Sequence, residues 1–314
     1  MRISGITYVP RKSYRSFNFV LLIISLLLLA AFTVVLISGF VGWNIVHPQK
    51  VALPAFSSNI VPDFKNVSFQ DVNKTVELKG WLFESGNSDK TVILAHGYQA
   101  NRLQFKEKSL DMIKAFLSKG YNVLAFDFRN SGESGGKITT AGFYEKDDVL
   151  GAVQFVKSRG SKQIFLMGFS MGASASILAA AENPDIKAVI ADTPYSDLNE
   201  LLENSLQEWT TLPAVPFNKV TMLSLRVLTG IDLAQVSPKN AVANLSPRSL
   251  FLIHMEGDKK IPASNSQELY NTYFKLNPGK VELWKTQGSE HLGSYEKFPQ
   301  EYMDRVLKFL DNNK

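Results

Sequence analysis

At 314 residues the chain is long enough for a sizeable core, and its 45% apolar content is ordinary for a globular protein, so disorder is not the default. The lack of cysteine excludes disulfides, thiolate zinc sites and a cysteine nucleophile together. The formal charge of +5 lies entirely in residues 1–50, which carry Arg2, Arg11, Lys12, Arg15 and Lys50 and no acid. The remainder is formally neutral, which argues against a nucleic-acid partner, since that role needs a basic face on the folded domain.

From Ser16 to Val46 no residue is charged, and Phe19–Val41 is almost wholly apolar. About 20 such residues cross the hydrocarbon core of a bilayer as a helix. A secretory signal peptide is the competing reading, but its apolar region runs only about 7–15 residues and ends in a small-x-small site. Val51–Ala55 leaves cleavage open without supplying a convincing site. We therefore expect an uncleaved transmembrane helix at residues 17–43. Four positive charges precede it, so residues 1–16 are expected in the cytoplasm and everything beyond residue 50 outside, with Trp43 at the outer interface. Residues 44–62, with Pro48, Pro54 and Pro62, read as a tether. The part beyond residue 50 is then expected to be soluble and active without the span.

Asn66–Asp71 and Thr75–Phe83 alternate apolar and polar around Asn73-Lys74, the pattern of an antiparallel hairpin. A strand–helix rhythm follows. Strands are expected at Thr91–Ala95, Tyr121–Phe126, Ile164–Met167, Ala188–Ala191, Ser249–His254 and Lys280–Trp284. Helices are expected at Gln104–Lys119, Tyr144–Arg159, Ser264–Phe274 and Tyr295–Leu310. Short strands alternating with helices imply a mostly parallel sheet covered on both faces, with ligands at the carboxyl ends of the strands. Residues 195–240 break the rhythm, with 197–236 the stretch that could form a cap. Apolar helices at Tyr195–Thr211 and Lys219–Thr229 flank a proline-rich joint, Leu212–Phe217, and read either as a cap over a site or as an ordinary helical excursion.

The chemistry centres on G-F-S-M-G at Gly168–Gly172, between a buried strand and a run of small residues that reads as a helix. In that context G-x-S-x-G is a nucleophile elbow: Ser170 sits on a sharp turn, and Gly168 and Gly172 let strand and helix pass closely. The Met171 N–H, at the helix N-terminus, is placed to donate to an oxyanion. A serine hydroxyl needs a base to take its proton and an acid to orient that base. Of four histidines, His47 lies by the span, His96 precedes Gly97 at a strand end, and His254 sits within a strand. His291, on the loop G-S-E-H-L-G-S, is the well-placed base. For the acid, Asp258 follows a strand, with Asp192 and Glu256 as rivals. The chain order Ser170…Asp258…His291 is the one this architecture uses.

The pieces A-H-G-Y, D-F-R-N-S-G-E-S, G-F-S-M-G, G-D-K-K-I-P and S-E-H-L together resemble an α/β-hydrolase over about residues 62–314, most similar to membrane-anchored bacterial members and the Bem46-like group. The resemblance implies a second oxyanion donor, the Tyr98 N–H, and a structural role for D-F-R-N-S-G-E-S, where Asn130 replaces a glycine. It implies an α/β-hydrolase domain at 63–314 that acts as a serine hydrolase on carboxylic esters with Ser170, Asp258 and His291, without metal or organic cofactor. Amide or thioester cleavage, and a non-enzymatic binding protein on the same fold, are the alternatives. The expected partners are a small-molecule ester and, through the span, the lipid bilayer.

Overall fold

The computed structural model describes residues 15–55 and 60–314. Residues 1–14 of the expected cytoplasmic segment and 56–59 of the expected tether lie outside the described residues. The first element, α1, is a helix over Arg15–Val46, 32 residues and so about 48 Å long. It extends beyond 17–43 at both ends. Nothing charged interrupts it, and Pro48, which disfavours helical backbone in the residue before it, follows directly.

Eight strands form one sheet: β1 Lys65–Gln70, β2 Glu77–Phe83, β3 Lys90–Ala95, β4 Asn122–Phe126, β5 Gln163–Phe169, β6 Ile186–Asp192, β7 Ser249–Met255 and β8 Val281–Thr286. Their order is β1-β2-β4-β3-β5-β6-β7-β8. The expected hairpin β1–β2 is antiparallel and joins β4 antiparallel, whereas β3 to β8 run parallel. The hairpin turn is held by Asp71, whose carboxylate accepts from the Thr75 and Val76 amides at 2.6 and 2.7 Å. Strands β3 to β7 are buried almost throughout, as parallel strands covered on both faces must be.

The helices between strands are α2 Lys108–Ser118, α3 Glu145–Ser158 and α4 Met171–Glu182. After β6 come α5 Leu198–Ser205, a 3₁₀ turn Leu206–Glu208, α6 Ala214–Thr229 and the short α7 Pro238–Ala241. Then α8 covers Ser264–Leu276, α9 Gly293–Lys297 and α10 Pro299–Asp311. One core layer joins the sheet to α3, α4 and α8, the other to α2 and α10. The single helix expected at Tyr295–Leu310 is broken at Phe298, which sits at φ −129°, ψ 52° ahead of Pro299. The proline joint behaves likewise: Val215, ahead of Pro216, is extended at φ −105°, ψ 130°, and regular helix starts only after it.

D-F-R-N-S-G-E-S is a buried ionic brace. Asp127 accepts from Arg102 Nη2 at 2.5 Å, from the Arg102 amide at 2.7 Å and from the Glu133 amide at 2.9 Å. Arg129 Nη2 reaches Asp148 at 2.6 Å. These bonds satisfy the charges among themselves, tie two loops to the strand ends, and leave no free group for chemistry.

The tether reading changes. Asn44–Val46 belong to α1, and the stretch after them is tied to the domain at several points although much of it is exposed. Val46 is buried, and its carbonyl accepts from the Thr139 amide at 2.8 Å. The Tyr98 hydroxyl donates to Ile45 O at 2.8 Å, Lys50 Nζ to Ser134 O at 2.5 Å, and Asn101 Nδ2 to Ala52 O at 3.1 Å. On α1 a stripe one turn apart, Ser38, Gly42 and Val46, is buried, and α6 packs along it. A Cβ at Gly42 would meet Ser224 Cβ at 3.3 Å and Leu228 Cδ1 at 3.5 Å, so glycine brings the two backbones close.

Candidate active site

Strand β5 ends at Phe169 and α4 begins at Met171, leaving Ser170 alone to reverse the chain at φ 53°, ψ −116°. A non-glycine residue at positive φ is strained, and the surroundings hold it there. The Ser170 amide donates to Asp192 O at 2.8 Å on the neighbouring strand. The flanking glycines are obligatory. A Cβ at Gly168 would lie 2.3 Å from Gly172 O, and one at Gly172 would lie 2.1 Å from Ala95 O. The turn leaves the Ser170 hydroxyl and the Met171 amide at the head of α4, where the first N–H groups have no intrahelical acceptor.

His291 lies between β8 and α9, and its Nε2 is 3.0 Å from Ser170 Oγ. Its Nδ1 is 2.7 Å from Asp258 Oδ2. A carboxylate only accepts, so Nδ1 carries the proton and Nε2 is free to accept from the serine hydroxyl. Asp258 is fixed from its other side: Oδ1 accepts from the Lys260 and Ile261 amides at 2.9 and 3.1 Å. The Asp258 and His291 loops are also tied to each other by the Gly257 amide, which donates to Gly288 O at 2.8 Å.

The rivals are elsewhere. Glu256 is exposed. Asp192 is fully buried and accepts from the Tyr302 hydroxyl at 2.8 Å and Thr193 Oγ1 at 2.9 Å, with no bond to His291. Burial lifts the Asp192 carboxyl to about 6. The other histidines are occupied. His96 Nε2 accepts from the Phe128 amide at 3.0 Å, and burial lowers its pKa. His254 bonds to Ser266 Oγ at 2.6 Å and to Ile261 O at 2.8 Å, and burial pushes it down to about 4, so it stays neutral. His254 thereby braces the segment that carries Asp258.

Ser170 and Met171 open onto a cavity of about 360 Å³, within the usual size of small-molecule sites. Tyr98 lines it, with burial raising its phenol to about 12. Leu198, Leu201, Leu206 and Leu212 line it from the excursion after β6, together with Trp209. The Trp209 ring stands edge-on to both Tyr98 and His291, at 6.2 and 5.9 Å, and its Nε1 donates to Lys260 O at 3.2 Å. The fourth wall comes from α1: Val41, Asn44 and Ile45. Sequence reasoning missed these three residues. Their one signal is that the uncharged run continues past Trp43 to Val46. Among the described residues no group of three His, Asp or Glu side chains is arranged to hold a metal ion.

Residues 90–226 match the family described as the alpha/beta hydrolase fold. The Bacillus subtilis protein YqkD is 33% identical over 258 residues, which cover 78% of this chain and 82% of that protein. The lysophosphatidylserine lipase ABHD12 of Danio rerio is 26% identical over 69% of this chain and 56% of its own length. Among solved structures, the Pyrococcus furiosus esterase Pf2001 superposes with a TM-score of 0.70 at 32% identity, over 85% of this chain and 98% of the esterase.

Proposed function

This chain belongs to the α/β-hydrolase family, and on that premise we propose that it is a membrane-anchored serine hydrolase of carboxylic esters, akin to the Bem46-like group. The observation that carries the reading is the hydrogen-bonded line from Asp258 through His291 to Ser170, at 2.7 and 3.0 Å. Likeness to an esterase supports ester over amide. The apolar α1 is the anchor, with the N-terminus in the cytoplasm and the catalytic domain outside.

In the reaction, His291 Nε2 takes the Ser170 proton while Oγ attacks the ester carbonyl. The negative charge that develops on the carbonyl oxygen is met by the Tyr98 and Met171 amides, and Asp258 stabilises the imidazolium. His291 then protonates the leaving alcohol, giving an acyl-Ser170 intermediate. Water, deprotonated by His291, releases the acid and restores the serine.

A fluorophosphonate is expected to add covalently to Ser170, as read by peptide mass spectrometry, and to leave Ser170→Ala unmodified. Modification at another serine, or none at all, would overturn the reading and favour a binding protein on this fold.

Residues 197–236 are, in this reading, a cap that shapes the acyl site. Trp209→Ala removes a bulky wall beside His291 and is expected to shift the preferred acyl chain to longer esters. The expected change in relative kcat/KM between butanoate and decanoate esters is roughly tenfold. An unchanged chain-length profile would make the segment a mere excursion.

A further inference from the structure

The anchor and the catalytic cavity are not separate parts. Val41, Asn44 and Ile45 of α1 line the same cavity as Ser170, Met171 and Trp209. Trp43 is half exposed and stacks on His47 with ring centroids 3.8 Å apart, the kind of amphipathic pair that sits at lipid headgroup level. Val41 lies two residues, roughly 3 Å, on the bilayer side of that level, and Ser38 five residues, roughly 7–8 Å. Yet Ser38 is fully buried, on the stripe of α1 along which α6 packs. The cap helix therefore accompanies α1 below the headgroups.

The other side of α6 fits that depth. Leu223 and Val227, one turn apart, are 60% and 76% exposed, and Val215, in the extended stretch ahead of the regular helix, is 84% exposed. Exposed apolar side chains of this size are unfavourable in water, but they stand beside α1, which is itself apolar and exposed along most of its length. Lys219 and Arg226 share the exposed side, Arg226 with its guanidinium 3.5 Å from the Asp232 carboxylate, and long basic stems of this kind suit a level near lipid phosphates. The occupant that suits apolar side chains with two basic ones, beside a membrane-spanning helix, is the outer leaflet of the bilayer.

From this we infer that the substrate is a single-chain, long-chain acyl ester resident in the outer leaflet, and that its acyl chain is drawn sideways into the cavity past Val41 and Leu212. The inference rests on the hydrolase reading above and adds the substrate class and its route. A cavity of about 360 Å³ lined largely by apolar side chains has room for one acyl chain rather than two. An ester carbonyl sits at the headgroup boundary, the level that Trp43 marks, and its neighbours Asn44 and Ile45 line the cavity. Lateral transfer spares the acyl chain a passage through water, a saving that grows with each methylene.

The test uses the full chain reconstituted in phosphatidylcholine vesicles. One assay follows fatty-acid release from monooleoylglycerol held in the vesicles, the other hydrolysis of p-nitrophenyl acetate in the surrounding water. The parent chain is expected to favour the vesicle ester. Val41→Trp, which fills the cavity from the α1 side, and Leu223→Glu, which charges the leaflet-facing side of α6, are each expected to lower the vesicle-to-soluble ratio of kcat/KM roughly tenfold or more. Leu223 is largely exposed, so this second variant keeps its packing. Melting temperatures near that of the parent establish folding. A ratio unchanged in either variant overturns the inference while acetate hydrolysis leaves the hydrolase reading standing. Failure of the parent chain on both esters, with Ser170 unlabelled, removes both.

Discussion

Asp258→Asn is expected to lower kcat by about 10⁴ with little change in melting temperature, the size of drop that the same exchange produces in a serine protease. The asparagine keeps the volume and can still accept from the Lys260 and Ile261 amides, so the loop stays in place. What it loses is the carboxylate that accepts from His291 Nδ1–H at 2.7 Å. An amide there also favours the other imidazole tautomer, with the proton on Nε2 facing Ser170, where it is useless to a base. Asp192→Asn is the matched control, because it is also a buried acid near the site. Its carboxyl is raised to about 6 by burial, from an ordinary value of 3.8. The folded state therefore binds this proton more tightly than the unfolded state. The stabilisation is present below about pH 4 and is lost as pH rises through 6, amounting to about 3 kcal/mol. Asp192→Asn is thus expected to gain stability relative to the parent between pH 4 and 7 and to keep kcat within an order of magnitude. Denaturation midpoints and kcat across that range check both variants; a loss of turnover in Asp192→Asn but not in Asp258→Asn would move the acid.

Gly172→Ala is expected to cost more than 3 kcal/mol of stability and, in whatever folds, about 10²–10³ in kcat. The added methyl would lie 2.1 Å from Ala95 O and 2.4 Å from His96 O. Both are main-chain atoms at the end of β3, so no rotamer change relieves the clash and the strand and α4 must part. That movement carries Gly97 and Tyr98 with it, and with them the amide that would face the oxyanion. Chemical denaturation and burst kinetics with an activated ester measure the two effects separately. A parent-like midpoint and rate would show that β3 yields more easily than its buried position suggests.

The elbow and the parallel sheet were readable because their determinants are local. Gly168 and Gly172 are spaced to clear one turn, and the apolar run Ile164–Met167 is a strand whatever surrounds it. The order of Ser170, Asp258 and His291 was readable because successive strand ends in a parallel sheet lie side by side. The choice among Asp258, Asp192 and Glu256 needed coordinates. All three follow strands, and only the side-chain directions separate them. The single helix expected at Tyr295–Leu310 failed at Phe298, where Pro299 acts on the residue before it, whereas the extended Val215 falls inside the joint expected at Leu212–Phe217. The walls of the cavity were hardest to see. Val41 and Leu212 are far apart in the chain, and an apolar residue in a membrane span has the same reason to be apolar whether or not it also faces a cavity. Nothing in periodicity distinguishes the two.

The bonds that fix Ile45, Val46 and Lys50 to the loops around the site bear on how a membrane-anchored hydrolase of this build would search. A catalytic head on a loose string samples a hemisphere and reaches objects some distance from its foothold. Here the Thr139 amide holds Val46 O at 2.8 Å and the Tyr98 hydroxyl holds Ile45 O at 2.8 Å, so the head is tied directly to the end of α1. With α1 in a bilayer, the height and facing of Ser170 are set by the foot itself. Such a molecule forages in two dimensions: it meets only what drifts along its own membrane, and its encounter rate follows the fluidity and crowding of that sheet.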